Sequence, residues 1–74
     1  MEVNILEYDN IGDARNELGI TQAQMAEELG VTRQTYAKME QDPDSMTIRQ
    51  ARTVCSILGR RIGDFYFGKM VSNN

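Results

Sequence analysis

The stretch TQAQMAEELGVTRQTYAKME, residues 21–40, holds two helical patterns with only a Gly-Val step between them. Thr21 opens the first pattern and Gln24 follows three residues later. This is a capping box, in which hydroxyl and amide satisfy two free backbone donors reciprocally. Met25, Ala26 and Leu29 form the apolar stripe, and Gly30 can take the left-handed conformation that ends a helix. Thr32 then caps a second helix whose inner side carries Tyr36, Met39 and Glu40. At about 100° per residue, Gln34, Ala37, Lys38 and Gln41 point outward, with Arg33 at the edge. That outer face is polar, long-armed and rich in donors, and its central alanine permits close approach. Arg, Lys and Gln are the side chains that suit guanine and adenine edges in a major groove.

The neighbouring segments extend the same pattern. Ile11, Ala14, Arg15 and Leu18 fall at helical spacing, with Asn10 or Asp9 as cap and Gly19 as stop. QDPDS, residues 41–45, surrounds the single proline and reads as a loop. Thr47 and Gln50 repeat the capping box, and Ile48, Ala51, Val54, Cys55 and Leu58 form the stripe of a fourth helix before Gly59. IGDFYF, residues 62–67, is compatible with a short fifth helix, whereas EVNIL and FYFGKMV are each compatible with a short strand. The expected fold is all-α, with four to five helices in a single domain over residues 1–74.

The bulk numbers exclude several classes of protein. A chain of 74 residues builds a small core of marginal stability, for which dimerisation is an economical support. One cysteine excludes an internal disulfide, and a chain without histidine offers no zinc-binding cluster. Cys55 sits on an apolar stripe and reads as a small core thiol. Paired carboxylates, a nucleophile beside a base and a phosphate-cradling glycine loop are all missing, so the case for an enzyme is thin and no cofactor is expected. No run approaches the roughly 18 apolar residues of a membrane span. The start, MEVNILEYDN, is acidic where a secretion signal would be basic. A cytoplasmic protein without a membrane partner is expected.

Net charge is −3, yet the charges are unevenly distributed. Residues 1–30 hold one base and seven acids, whereas residues 31–62 hold six bases and three acids. Local charge on one face matters more to a polyanion than the total does. Two of these charges lie on apolar stripes: Arg15 among Ile11, Ala14 and Leu18, and Glu40 beside Tyr36 and Met39. A charge on a buried face is costly unless it is paired. An Arg15–Glu40 pair that locks the first helix to the end of the third meets that cost. The alternative is that each side chain reaches water separately.

With those residues in view, the chain resembles the helix-turn-helix of the phage-repressor and Cro family of transcriptional regulators, also called the XRE family. The likeness runs from about Ile11 to Phe65 and is densest over TQAQMAEELGVT and the closing KMEQ. It includes the Gln that opens the second helix, the Ala at its inner contact, the Gly of the turn and the spacing of the buried positions. The resemblance implies a lambda-repressor-like DNA-binding domain whose motif spans about residues 21–41. Carried over position by position, Arg33, Gln34, Thr35 and Lys38 match places that reach bases. Thr21, Gln22, Thr32, Gln41 and Arg49 match or neighbour phosphate contacts, and an Arg–Glu pair is common at the places of Arg15 and Glu40. Tyr36 departs from the aliphatic residue usual at its place and is expected in the core with its hydroxyl at the rim. QDP also departs from the Asn-Gly that often follows the third helix, bringing Asp42 and Asp44 near the expected DNA backbone.

The resemblance further implies double-stranded DNA as partner, a repressor role, and a homodimer on a near-palindromic operator. Phe65, Tyr66, Phe67, Met70 and Val71 are too apolar for a free tail. They either dimerise, with residues 66–74 as the contact, or cap the chain's own core. A second reading uses the same scaffold as an antitoxin-like or anti-repressor module, with the acidic N-terminal part binding a protein partner.

Overall fold

The computed structural model describes residues 8–68. Four α-helices follow in order: α1 (Ile11–Glu17), α2 (Gln22–Leu29), α3 (Arg33–Gln41) and α4 (Ile48–Leu58). Single 3-10 turns at Pro43–Ser45 and Ile62–Asp64 follow α3 and α4. The second of these stands where a fifth helix was expected. It is three residues long, because the chain becomes extended at Phe65 (φ −116°, ψ 157°). Asp9 and Phe65 form an isolated parallel bridge, and the Asp9 amide donates to the Asp64 carbonyl at 2.8 Å. Among the described residues there is no longer strand pairing; EVNIL and the end of FYFGKMV lie outside them.

The helix starts follow from local chemistry. Asn10, Thr21, Thr32 and Thr47 cap α1 to α4, each accepting from an amide three residues on. The capping boxes Thr21/Gln24 and Thr47/Gln50 are both closed. At the corner between α2 and α3, Gly30 adopts φ +70°. There the Val31 amide donates to the Ala26 carbonyl at 3.0 Å, and the Gly30 amide to the Glu27 carbonyl at 3.2 Å. This closure satisfies carbonyls that a helix end leaves free and turns the chain within two residues. A Cβ at this position would be strained in the left-handed region.

The core collects the inward stripes: Ile11 and Ala14 from α1, Met25 and Ala26 from α2, Tyr36 and Met39 from α3, and Ala51, Val54, Cys55 and Leu58 from α4. Leu29 packs half-buried against it, and two residues of the expected stripes are exposed instead. Leu18 is 55% exposed and Ile48 50% exposed. Leu18 is the C-cap of α1 and Ile48 the first residue of α4. The periodicity sets their angle around the helix, but among the described residues no neighbouring element covers these helix ends. Burial raises the pKa of the Cys55 thiol, with nearby Asp64 adding to the effect, as suits an inert core group.

The aromatic tail residues belong partly to this core. Phe65 and Phe67 are fully buried, with their rings edge-to-face at 6.2 Å, so neither is available to a partner. Tyr66 is half-buried against Tyr8, while Met70 and Val71 lie outside the described residues. At Gly68 the chain turns again with φ +67°, and a Cβ there would overlap the Asp44 carboxylate. The positive φ favours glycine here, and a Cβ would also require the exposed Asp44 side chain to rotate aside.

Candidate nucleic-acid interface

Arg33, Gln34, Thr35, Lys38 and Gln41 are all exposed, and Ala37 is half-buried between them. Arg33, Gln34, Ala37, Lys38 and Gln41 line one wall of an open groove of about 740 Å³. The opposite wall comes from Asn10 and Gly12 at the start of α1 and Gln22 at the start of α2. Sequence reasoning missed the contribution of Asn10 and Gly12, since no local pattern reports which helix end lies beside α3. Gly12 has a steric reason to be small: a Cβ there would lie 3.1 Å from Glu40 Oε1. A second shallow groove runs past Thr21, Gln22 and Ala23 at the start of α2, and Arg33 and Gln22 line both grooves.

Thr35 stands among the residues matched to base contacts, but its hydroxyl accepts from the Thr32 hydroxyl at 2.9 Å. The Thr32 hydroxyl in turn accepts from the Thr35 amide at 3.1 Å. Both hydroxyls are therefore engaged in starting α3. Thr21 is similarly occupied with the Gln24 amide at 3.0 Å. Arg49 is exposed on the first turn of α4 and does not line the groove of α3.

A carboxylate-centred network lies beneath the groove. Arg15 donates from Nε to Glu40 Oε2 at 2.7 Å and from Nη2 to Oε1 at 3.1 Å. The Tyr36 hydroxyl donates to Oε2 at 2.6 Å, and Gln22 Nε2 donates to Oε1 at 3.2 Å. Arg15 Nη1 also donates to the Ile20 carbonyl at 2.8 Å and to Asn16 Oδ1 at 3.2 Å, tying down the α1–α2 turn. The side chains of Arg15 and Glu40 are each only 11% exposed. Burial alone pushes the Glu40 carboxyl upward, but hydrogen bonds from Arg15, Tyr36 and Gln22 outweigh it and the net shift is downward. The hydrogen bond to Glu40 raises Arg15, and burial followed by the Glu40 bond raises the Tyr36 hydroxyl. The network is thus Arg⁺, Glu⁻ and a neutral phenol, and among the described residues no buried side-chain polar atom lacks a partner.

The remaining charges separate by region. Arg60 is turned away from α3, paired with Asp9 and, at 3.5 Å, with Glu17. Its guanidinium also lies 5.9 Å from the centre of the Phe65 ring. Glu27 and Glu28 line a different groove, with Ile20, Met25 and Ile57 between α2 and α4. Among the described residues Glu40 is the acid that lines the α3 groove, and Arg15 pairs with it. The overall charge of −3 therefore misdescribes this face, where Arg33 and Lys38 stand exposed beside a compensated carboxylate.

An exposed polar face on the second of two helices joined by a glycine corner, braced on a third, defines a helix-turn-helix protein. The helix-turn-helix family model matches residues 11–65, and the chain belongs to the XRE-type helix-turn-helix family of transcriptional regulators. It is 42% identical over 50 residues to a Methanothermobacter thermautotrophicus protein described as an "Uncharacterized HTH-type transcriptional regulator". That match covers 68% of this chain and 72% of the relative. No solved structure matches the chain. Among the described residues no helix is long and apolar enough to cross a membrane.

Proposed function

We propose that the protein is a sequence-specific transcriptional repressor that reads the DNA major groove with α3. The observation that carries this reading is the groove-lining row Arg33, Gln34, Lys38 and Gln41, exposed on a helix whose opposite side is locked into the core. Arg33 and Lys38 suit guanine, and Gln34 suits adenine. The start of α2, with the Gln22 side chain and the Gln22 and Ala23 amides outside the capping box, suits a phosphate, and Gln41 suits one at the far end of α3. Thr21 and Thr32 act as caps first and Thr35 hydrogen-bonds the Thr32 hydroxyl, so any DNA contact the three make is secondary. Arg49 would add a phosphate contact from α4. One recognition helix reads few base pairs, so a homodimer on a near-palindromic operator, with half-sites about one helical turn apart, follows from the need for specificity.

Selection of the full chain against a random duplex library at moderate salt, beside a Gln34→Ala/Lys38→Ala variant, tests the reading. Enrichment of a two-fold symmetric motif that the variant loses supports groove reading by a dimer. If nothing enriches, direct readout fails and the antitoxin-like or anti-repressor reading takes its place, with the acidic first third as the docking surface.

A further inference from the structure

We infer that the Tyr36 hydroxyl is a positioning group that keeps Glu40 hydrogen-bonded while Gln22 transfers its amide from Glu40 to a DNA phosphate. The inference rests on the proposed DNA reading and concerns a residue that never touches the DNA.

The geometry around Glu40 is unequal. A carboxylate offers about four lone-pair sites, and here four donor atoms converge on it: Arg15 Nε, Arg15 Nη2, the Tyr36 hydroxyl and Gln22 Nε2. Gln22 makes the longest of these bonds, 3.2 Å, against 2.6 Å from Tyr36. Gln22 also lines both the α3 groove and the groove at the start of α2, whereas Tyr36 is fully buried. Arg15 also edges the second groove, but its two bonds to Glu40 and its bond to the Ile20 carbonyl hold it in place, so Gln22 is the donor that can leave towards solvent. When Gln22 leaves, Oε2 keeps Arg15 and Tyr36, and Oε1 keeps Arg15 Nη2 at 3.1 Å. The amide exchanges one anionic acceptor for another, so a charge-assisted bond is made for each one broken.

Without the phenol, the balance changes. A phenylalanine at position 36 would leave Arg15 and Gln22 as the donors to a mostly buried carboxylate. Withdrawing Gln22 would then cost part of the solvation of a buried charge, which opposes binding. The hydroxyl stays protonated across the physiological range, since burial and Glu40 both raise its pKa.

A double-mutant cycle in DNA affinity tests this, using the full chain and its selected operator at one fixed salt concentration. Gln22→Ala is expected to weaken binding by roughly ten-fold in the wild-type background and by about three-fold or less in the Tyr36→Phe background. A purely structural role for Tyr36 would lower the melting temperature and leave the Gln22→Ala factor equal in both backgrounds, which overturns the inference. Side-chain amide resonances of Gln22 in the wild-type protein supply a readout that needs no variant. They should move on titration with operator, and resonances that stay at their free-protein positions also overturn the inference. The two proposals fail differently: a wild-type protein that selects no operator defeats both, whereas operator binding with an additive cycle defeats the Tyr36 role alone.

Discussion

The two faces of α3 obey opposite rules. The inner face, Tyr36, Met39 and Glu40, is buried or half-buried and every polar atom on it is committed to a partner. The outer face, Arg33, Gln34, Lys38 and Gln41, is exposed and its donors point into an open groove. One helix of nine residues carries both, because helical geometry sends alternate groups of side chains in opposite directions. In the proposed reading, the braced side serves the exposed one. A side chain on a helix held by its neighbours loses less freedom on binding, and Glu40 is the residue through which α1 and α2 hold α3.

Substitutions on each face should therefore separate stability from binding. The largest effect is expected from Arg15→Leu, which leaves Glu40 buried and unpaired. It should cost about 3–5 kcal/mol, enough to shift a thermal unfolding midpoint by well over 10 °C in a domain this small, given roughly 4–8 °C per kcal/mol. An unchanged midpoint in circular dichroism would break the comparison, since the inner face would then be no more committed than the outer.

Next in size is the effect of Gln34→Ala/Lys38→Ala on DNA affinity, measured by fluorescence anisotropy. If Gln34 and Lys38 read bases as proposed, truncating each should cost about 1–3 kcal/mol of binding, while the melting temperature stays within a few degrees of the wild type. A comparable drop in stability would mean that the outer face also serves the fold.

The pH dependence of stability tests the inner face without removing an atom. Glu40 has a folded-state pKa below its ordinary value of 4.5. Its contribution is therefore present above about pH 4.5 and is lost as pH falls through the lower folded value. Tyr36 has a raised pKa, so its contribution is present below its ordinary value of 10.0 and declines as pH rises beyond it. Glu40→Gln should flatten the acid limb of the melting-temperature profile. An identical acid limb in the variant would assign that limb to other carboxyls.

A smaller cost, about 1–2 kcal/mol, is expected for Gly68→Ala. It forces a Cβ into the left-handed region and against the Asp44 carboxylate. Chemical denaturation would measure the cost, and a neutral outcome would show that the tail is not held to the loop after α3. The smallest effect is expected from Leu18→Glu. Leu18 is 55% exposed at the end of α1, so stability should change by no more than about 0.5 kcal/mol. A large decrease, or a change in the concentration dependence of the melting temperature, would reveal Leu18 as part of a subunit contact.

The helix starts and stops, the glycine corner and the inward and outward faces of α3 were legible in the sequence, since each depends on residues within about one turn of each other. The failures cluster where a residue's fate depends on something distant in sequence. Leu18 and Ile48 have the periodicity of buried residues, but periodicity gives an angle and not whether a neighbour covers that level of the helix. Phe65 and Phe67 announced that the tail must bury apolar surface without saying whose. The Asp9–Phe65 bridge and the Gly68–Asp44 approach direct it into the chain's own core. Likewise, Gln22 reads from sequence as a phosphate contact, and only in three dimensions is its amide found on Glu40.

Amino-acid order alone determined the four helices, their caps, the corner at Gly30 and the demand that Arg15 and Glu40 be compensated, because these are matters of local hydrogen bonding and of charge on an apolar stripe. Tertiary structure decided how that demand was met: a carboxylate shared by α1, α2 and α3, with a phenol as its shortest donor. It also placed Asp9 and Glu17 with Arg60, and Glu27 and Glu28 on another groove, so that an acidic chain presents Arg33 and Lys38 exposed on the α3 groove, with Asp42 and Asp44 exposed beyond its end. Both outcomes turn on distances between residues far apart in the chain, which no local pattern encodes.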